Sequence, residues 1–189
     1  MTVTADAYFE AHNELAQRLD KQAMNSAVEL VCATLREGRQ VITCGNGGSA
    51  ATASHYVNDW LKSGHLASGQ RIHAVSLVDN VGLLTAWAND VSYEEVFAGP
   101  VRALARPGDL VIAVSGRGNS PNVVAAVQAA HAVGAQTLAV VGYDGGRLRG
   151  LAQHVFWVPS HDMQLCEDLH LMFGHLVMKS LCRAPLVLD

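Results

Sequence analysis

The sequence predicts a doubly wound α/β fold, in which a mainly parallel five-stranded sheet is flanked by helices and preceded by two further helices. Two mostly apolar, strand-like runs are each followed by a glycine-rich turn and an alanine-rich helix. Strand-like and helical segments also alternate through about five cycles, which is typical of parallel βαβ units. We therefore expect one sheet with helices on both faces.

Length and composition predict one globular domain. The chain has 189 residues, of which 50% are hydrophobic and 16% are charged, so it can bury one substantial core but is short for two. We expect a single domain over residues 1–189, with a helical arm over residues 1 to about 38. The formal charge of −4 argues against nucleic acid as the main partner. No run reaches the ~18 apolar residues of a membrane span.

The cysteines and the N-terminus predict a cytoplasmic protein. The cysteines are Cys32, Cys44, Cys166 and Cys182. They form no CxxC pair and stand in apolar or helical contexts, so we expect reduced and mostly buried thiols. The first residues include Asp6 and Glu10, with no basic region followed by an apolar core, so no signal peptide is expected.

Two amphipathic helices are predicted before the first strand, over residues 5 to about 19 and about 21 to 36. Apolar residues recur at helical intervals in both, and Gly38 can end the second. Such helices either cap the sheet or form an arm that packs against another subunit. The low share of charged residues favours the arm.

The first strand, turn and helix form a pattern typical of phosphate-binding sites. Residues 39–43 predict a buried strand, residues 44–49 a glycine-rich turn, and residues 50–59 a helix. Glycines let the backbone approach an anion, and a helix N-terminus favours negative charge. Neither nucleotide motif, GxGxxG or GxxxxGKS/T, is present. A tight turn with Ser49 as helix N-cap is the alternative interpretation.

The middle of the chain predicts a short strand and two helices. These elements are, in order, a loop over residues 63–69, a strand over 72–77, a helix over 81–88 ended by Asn89 and Asp90, and a helix from Tyr93 to about Ala105.

A second unit repeats the pattern of strand, turn and helix. Residues 109–114 predict a strand, residues 115–120 a hydroxyl- and glycine-rich turn, and residues 121 to about 133 a helix. Ser120 is the expected N-cap and Pro121 the first helical residue. Since parallel strands end at the same edge, two such turns indicate an anionic ligand at the carboxyl ends of the sheet. Arg117 can add a charge-assisted contact to that ligand.

The remaining elements complete the sheet and end in a long helix. They are a strand over residues 136–141, a turn at 143–146, a helix over 147–152, a strand over 154–158, a helix from about 162 to 182, and an extended tail over 183–189. The long helix is apolar on more than one side, so we expect it to be buried. Its carboxylates and imidazoles therefore need partners.

Titratable residues on two helices are candidate metal or catalytic groups. His55 and Asp59 are four positions apart, so they lie on one face of a helix. There they either coordinate one cation or form an ordinary solvated pair. Glu167 and His175 are eight apart, about 12 Å along a helix axis, so they meet a common ligand only if it lies between them. His170 is expected to orient the Glu167 carboxylate.

Motifs spread over nearly the whole chain define a family resemblance. They are residues 45–49, His55, Asn89 and Asp90 before Tyr93, residues 115–120, residues 144–146, residues 158–160, and Glu167 to His175. With these motifs the chain resembles the sugar isomerase (SIS) domain family and, within it, the phosphoheptose isomerases. The resemblance implies the SIS fold and interconversion of D-sedoheptulose 7-phosphate and D-glycero-D-manno-heptose 7-phosphate through an enediol. A non-catalytic phosphosugar-binding or regulatory module and an isomerase of another sugar phosphate are the alternatives.

The same resemblance implies roles for individual residues. It implies substrate contacts from Asn46, Gly47, Gly48, Ser49, Asn89, Asp90, Ser115, Gly116, Arg117, Ser120 and Glu167. It implies that Asp59 and His175 form the acid/base pair, and that a zinc ion is held by His55, Asp59, Glu167 and His175. Together with the apolar helices at both ends, it also implies a homotetramer with sites near the subunit boundaries.

Three departures from the family pattern bear on these roles. Asp59 stands where the family has glutamate, which shortens the reach of the carboxylate. Glu167 replaces glutamine and adds a negative charge to the implied metal set. Gly116 and Arg117 replace threonine and serine, which exchanges hydroxyl donors for a guanidinium.

Overall fold

The sheet has the predicted doubly wound, parallel architecture. The computed structural model describes residues 2–183, so the tail beyond residue 183 lies outside the described residues. Within that range the strands are Val41–Gly45 (β1), Ala74–Ser76 (β2), Leu110–Ser115 (β3), Gln136–Val141 (β4) and His154–Trp157 (β5). They form one sheet of order β2-β1-β3-β4-β5, and every strand pair is parallel. The prediction of a five-stranded parallel α/β sheet is confirmed.

Helices flank both faces of this sheet. Those in the described range are Ala5–Arg18 (α1), Lys21–Arg36 (α2), Gly48–Asp59 (α3), His65–Ser68 (α4), Val81–Asp90 (α5), Glu95–Leu104 (α6), Pro121–Ala132 (α7), Gly146–Leu151 (α8) and Met163–Cys182 (α9), with a π-helical turn at Trp60–Gly64. Helix α7 begins as predicted, with Ser120 as N-cap and Pro121 as its first residue.

The core consists of two apolar layers, one on each side of the sheet. Leu110, Ile112 and Val114 of β3 pack with α2, α3 and α9. The alternate residues of the same strand, Val111 and Ala113, pack with α6 and α7. A strand that is buried on both faces in this way reads as a continuous apolar run, which is why the sequence shows β3 clearly.

The strand order reverses between β1 and β3. Strand β1 pairs with β2 on one side and with β3 on the other, and Gly45 at its end lies opposite Val114 of β3. In open α/β sheets the crevice at such a reversal, beyond the carboxyl ends of the strands, is where ligands bind. Both glycine-rich turns start at this crevice.

Helices α3 and α9 pack closely through aromatic side chains. Tyr56 and Trp60 are fully buried and stack with their ring centroids 5.1 Å apart. The indole of Trp60 donates to the Gly174 carbonyl at 3.0 Å, and the Tyr56 hydroxyl donates to the His170 carbonyl. These contacts fix the position of one helix relative to the other.

One local prediction and one alternative interpretation were wrong. The expected loop over residues 63–69 is helical, because the chain continues from α3 through the π-helical turn into α4 and ends only at Gly69, which has a positive φ of 68°. Burial of Trp60 and Gly64 keeps this backbone helical. Ser49 is not the N-cap of α3, because the helix begins at Gly48 and Gly47 occupies the cap with a φ of 54°, a conformation that favours glycine.

The two leading helices differ in burial. Helix α2 contributes fully buried residues such as Val31 and Cys32 to the core, whereas Leu15 is the buried residue of α1. The Tyr8 hydroxyl of α1 donates to the Asp168 carboxylate of α9 at 2.7 Å, and this hydrogen bond raises the pKa of Tyr8 to about 12. Helix α1 is therefore a peripheral element that is tethered to α9.

The cysteines and the helix lengths can be compared with the sequence-based expectations. All four cysteines are free, and three of them are buried, as predicted. Among the described helices, none combines the length and the apolarity that crossing a membrane requires.

Substitution of Gly174 by alanine tests the packing of α3 against α9. A Cβ at Gly174 would overlap the Tyr56 ring, so Gly174→Ala should lower the free energy of unfolding by about 1–3 kcal/mol. Gly150→Ala in α8 is the matched control, because its Cβ would meet nothing within 4 Å and alanine favours a helix. Urea denaturation measures both variants, and equal stabilities would contradict the close packing.

Candidate functional site

The first glycine-rich turn depends on close backbone contacts. A Cβ at Gly45 would lie 2.7 Å from the Ser49 carbonyl oxygen and 2.9 Å from that of Val114, so a side chain would separate β1 from both neighbours. The Thr43 hydroxyl donates to the Ala53 carbonyl at 2.9 Å and ties β1 to α3. The N-terminus of α3, with its positive dipole end, therefore lies directly at the crevice.

A pair of asparagines joins the two turns. The Asn46 side-chain amide donates to the Asn122 side-chain carbonyl at 2.8 Å, and the Asn122 amide donates back at 2.9 Å. The Tyr93 hydroxyl donates to the same Asn46 oxygen at 3.0 Å. Asn122 was not a sequence-predicted site residue, because its partner is distant in the chain and only the pairing of β1 with β3 brings the two together.

A cavity of about 400 Å³ lies between the two turns and α9. Its lining residues are Asn46, Ser49, Ser115, Gly116, Arg117, Ser120, Met163 and Glu167. Seven of these eight were predicted from the sequence to contact substrate, and Met163 is the additional one. The hydroxyl groups, the Arg117 guanidinium and the start of α3 make this cavity suitable for an anionic group.

Methionine and glutamate side chains of α9 fill the space beside two glycines. A Cβ at Gly116 would lie 2.5 Å from the Met163 sulfur, so Met163 occupies the volume of a side chain at residue 116. A Cβ at Gly48 would lie 2.7 Å from Oε1 of Glu167. The Glu167 carboxylate therefore lies against the N-terminus of α3, whose dipole stabilises negative charge.

The second turn is fixed by the segment that follows β4 and by helix α8. The Gly142 amide donates to the Gly116 carbonyl at 2.8 Å, and the Leu148 amide donates to the Gly118 carbonyl at 3.0 Å. Gly118 has a φ of 67°, and a Cβ there would overlap the Gly145 carbonyl. The backbone of the second turn is therefore held in one conformation.

His55, Asp59 and His175 form a second group of functional side chains. Their nearest ligand atoms all lie within 4.8 Å of one another, and this is a cluster that could hold a metal ion. Nε2 of His55 lies 3.1 Å from Nε2 of His175, and Oδ2 of Asp59 lies 3.3 Å and 3.8 Å from these two nitrogens. Because the packing of α3 against α9 sets these distances, the cluster depends on tertiary structure.

The geometry of this cluster suits a tetrahedral metal. Ligands bound at 2.0–2.1 Å to tetrahedral zinc stand about 3.4 Å apart, close to the distances between these three atoms. Two imidazoles and one carboxylate are also a donor set that zinc accepts, with a fourth position left for water or substrate. The three residues therefore fit the metal that the family resemblance implies.

The structure does not bring all predicted residues together. Glu167 lies at the cavity and outside the cluster of His55, Asp59 and His175. Asn89 and Asp90 end α5 with a hydrogen bond of 2.8 Å between their side chains, and neither is among the residues that line the cavity. Asn89 and Asp90 remain predicted site residues, and Glu167 remains a predicted metal ligand that lies apart from the three-residue cluster.

His170 does not orient the Glu167 carboxylate, contrary to the sequence-based interpretation. Its ring is fully buried next to Phe156, with centroids 6.4 Å apart. Within the described part of the chain, neither ring nitrogen completes a hydrogen bond. Burial lowers the pKa of His170 to about 4, and the Val141 backbone counteracts only part of this effect. The imidazole is therefore a neutral core group.

Cys44, which lies in β1 just before the first turn, is an unreactive thiol. Its side chain is fully buried, and burial raises the pKa of the thiol to about 12. Since the thiolate is the nucleophilic form, Cys44 has no role as a nucleophile at neutral pH.

Comparison with known proteins assigns the family. Residues 7–142 match the SIS domain model. The chain belongs to the SIS domain family, within its phosphoheptose isomerase branch. Phosphoheptose isomerase of Aliarcobacter butzleri is 34% identical over 172 residues, which cover 89% of this chain and 90% of that protein. Phosphoheptose isomerase of Helicobacter pylori strain P12 is 36% identical over 172 residues, with 89% of each chain covered.

A solved structure agrees with this assignment. Phosphoheptose isomerase from Neisseria gonorrhoeae superposes with a TM-score of 0.85 at 30% identity, covering 95% of this chain and 97% of that one. The resemblance stated from the motifs is thereby confirmed for the family and for the fold.

The buried His170 predicts a pH dependence of stability. The unfolded chain takes up a proton near the ordinary pKa of 6.5, whereas the folded chain resists protonation of this group down to about pH 4. The contribution of His170 to stability is therefore lost as the pH falls from about 6.5 to about 4, by roughly 3 kcal/mol in total. Urea denaturation at several pH values in this range measures the loss.

His170→Leu is the control for that measurement, because it removes the titrating group and places an apolar side chain in the same buried position. The variant should lose less stability than the natural chain over the same pH range. Equal losses in both proteins would contradict the assignment of this effect to His170.

Proposed function

We propose that this chain is an aldose–ketose isomerase that converts D-sedoheptulose 7-phosphate to D-glycero-D-manno-heptose 7-phosphate through an enediol. The observation that carries the proposal is the meeting of Asp59 and His175, 3.8 Å apart, in a chain whose curated relatives are named phosphoheptose isomerase. We further propose that residues 1–189 form one SIS domain.

The proposed phosphate subsite is the cavity between the two glycine-rich turns. Ser115 and Ser120 offer hydroxyl donors there, and Arg117 offers a permanent positive charge. The start of α3 adds the positive end of its dipole. Asn46, Ser49 and Glu167 line the same cavity and are proposed to contact the sugar, together with the backbone of Gly47, Gly48 and Gly116.

Proton transfer is assigned to Asp59 and His175. The reaction removes a proton from the carbon next to the carbonyl and returns one to the neighbouring carbon, so it needs a base and an acid that flank two adjacent carbons. A carboxylate and an imidazole whose polar atoms lie 3.8 Å apart can face two such carbons. An imidazole can serve as either a general base or a general acid, so His175 is chemically suited to exchange a proton with the substrate.

We propose zinc as the cofactor, held by His55 together with Asp59 and His175. An atom of Asp59 or His175 would exchange a proton with the substrate only while it is not bound to the metal. When bound, zinc would polarise the carbonyl and hydroxyl oxygens of the substrate. The support is the three-residue geometry of this cluster. Glu167 is proposed as a substrate contact, because it lies with the cavity residues.

Turnover of D-sedoheptulose 7-phosphate by the purified protein, followed by NMR, tests the function. His175→Ala and Asp59→Asn should each lower kcat by about 10²-fold or more, since general acid–base groups contribute typically 10²–10⁴-fold. Chelation should also remove activity, and added zinc should restore it. His12→Ala, which changes a histidine of α1, is the control and should turn over normally.

A folded, zinc-loaded protein that does not turn over this substrate would overturn the proposed reaction. It would move the assignment to another sugar phosphate or to a non-catalytic phosphosugar-binding module. Full activity of His175→Ala would overturn the assigned acid/base pair.

We propose a homotetramer in the cytoplasm, with sites near the subunit boundaries. In the single chain described here α5 buries none of its residues, although it is largely apolar, and Val81 is 67% exposed. Asn89 and Asp90 lie on this helix and do not line the cavity of their own chain. An apolar helix that carries predicted site residues suits a contact with a second copy.

Light scattering tests the assembly. The proposal predicts about four times the chain mass of 20.1 kDa, and Val81→Glu on α5 should shift the distribution toward smaller species, because it places a charge in an apolar contact. A measured mass equal to that of one chain for the natural protein would contradict the proposed tetramer.

A further inference from the structure

Arg117 makes a contact that the sequence did not indicate. Its guanidinium carbon lies 5.3 Å from the centre of the Tyr143 ring, a distance at which a cation is attracted to the face of an aromatic ring. Arg117 also lines the cavity between the two turns. The Arg117 side chain therefore lines the cavity and also contacts Tyr143, an aromatic residue that does not line the cavity.

Hydrogen bonds hold the backbone around Arg117 in place, so the conformational freedom of this residue lies in its side chain. The Gly116 carbonyl accepts from the Gly142 amide and the Gly118 carbonyl from an amide of α8, and the Asn119 side chain donates to the Arg117 carbonyl at 3.1 Å. A long arginine side chain on a fixed backbone still has several rotatable bonds, whose ordering costs free energy when it binds a ligand. A neighbour that orders it in advance would reduce that cost.

Tyr143 is itself held in place on several sides. Its φ is 51°, in the left-handed region that non-glycine residues seldom adopt. The Tyr143 amide donates to the Ser160 carbonyl at 2.8 Å, and the Trp157 indole donates to the Tyr143 carbonyl at 2.9 Å. The His161 ring packs edge-on against Tyr143, with centroids 5.2 Å apart.

A non-glycine residue in the left-handed region persists only when its surroundings over-determine it, and such residues concentrate at functional sites. The contacts with Ser160, Trp157 and His161 supply that support at Tyr143. Their combined effect is a fixed aromatic ring beside the Arg117 guanidinium.

We propose that Tyr143 is a positioning residue that holds the Arg117 guanidinium toward the cavity, where it binds the phosphate group of a sugar phosphate. The proposal rests on the phosphate subsite of the proposed function, but not on the isomerisation. It assigns the effect to the aromatic ring, because a cation–π contact needs the ring face and not the phenol hydroxyl.

Calorimetric titration with inorganic phosphate and with D-sedoheptulose 7-phosphate tests the proposal. Tyr143→Ala should weaken the binding of both ligands about two- to fivefold, as expected for loss of an exposed cation–π contact. Tyr143→Phe should bind as tightly as the natural protein. Arg36→Ala, which removes a positive charge from an exposed ion pair with Glu29, is the control for net charge and should leave affinity unchanged.

The decisive measurement is the double variant. If Tyr143 acts through Arg117, then Tyr143→Ala should have no further effect on phosphate affinity in the Arg117→Ala background. Additive losses would assign Tyr143 a general structural role and overturn the proposal. Failure of Tyr143→Phe would do the same, because the hydroxyl would then be the acting group. Absence of phosphate binding by the natural protein would also overturn it.

A glycine variant controls for the possibility that Tyr143→Ala loses affinity because it misfolds. Tyr143→Gly removes the ring and also suits the positive φ at this position, so it should fold at least as well as Tyr143→Ala and lose the same affinity. In turnover assays these variants should raise KM and leave kcat nearly unchanged. If the protein binds phosphate with the expected pattern but does not isomerise the heptose, the proposed reaction fails while this inference stands.

Discussion

The parallel pairing of β1 with β3 is the constraint on which the candidate site depends. Gly45 lies opposite Val114, so the two glycine-rich turns begin side by side where the strand order reverses. The paired amides of Asn46 and Asn122 then join the turns across the crevice. Without this pairing, the hydroxyls, the guanidinium and the start of α3 would be separate features of the surface. With it, they converge on one cavity suited to an anion.

A second constraint, the packing of α3 against α9, sets the geometry of the proposed catalytic cluster. Tyr56 and Trp60 are fully buried between the two helices, and Gly174 gives Tyr56 the room that its ring needs. His55 and Asp59 neighbour these aromatic residues on α3, and His175 follows Gly174 on α9. Side chains on packed helices are held more closely than side chains on loops. The distances within the cluster therefore follow from the core.

Three of the residues that depart from the family pattern, Gly116, Arg117 and Glu167, fit their surroundings. Gly116 leaves room that the Met163 sulfur occupies, and the Glu167 carboxylate lies against Gly48 at the start of α3, where the helix dipole favours negative charge. Arg117 has the Tyr143 ring beside it. Gly116, Glu167 and Arg117 thus each have a neighbour that suits their size or charge, and of these three Arg117 is the one that adds positive charge for an anionic substrate.

The fold class and the two turns could be predicted from the sequence, because strand and helix periodicity, glycine clusters and helix caps are local signals. It also indicated seven of the eight cavity residues through the turns and the family motifs. It did not reveal the helix at residues 65–68, the burial of His170, or the roles of Asn122, Met163 and Tyr143. Burial and contacts between distant segments decide these features, and only the packed tertiary structure brings those segments together.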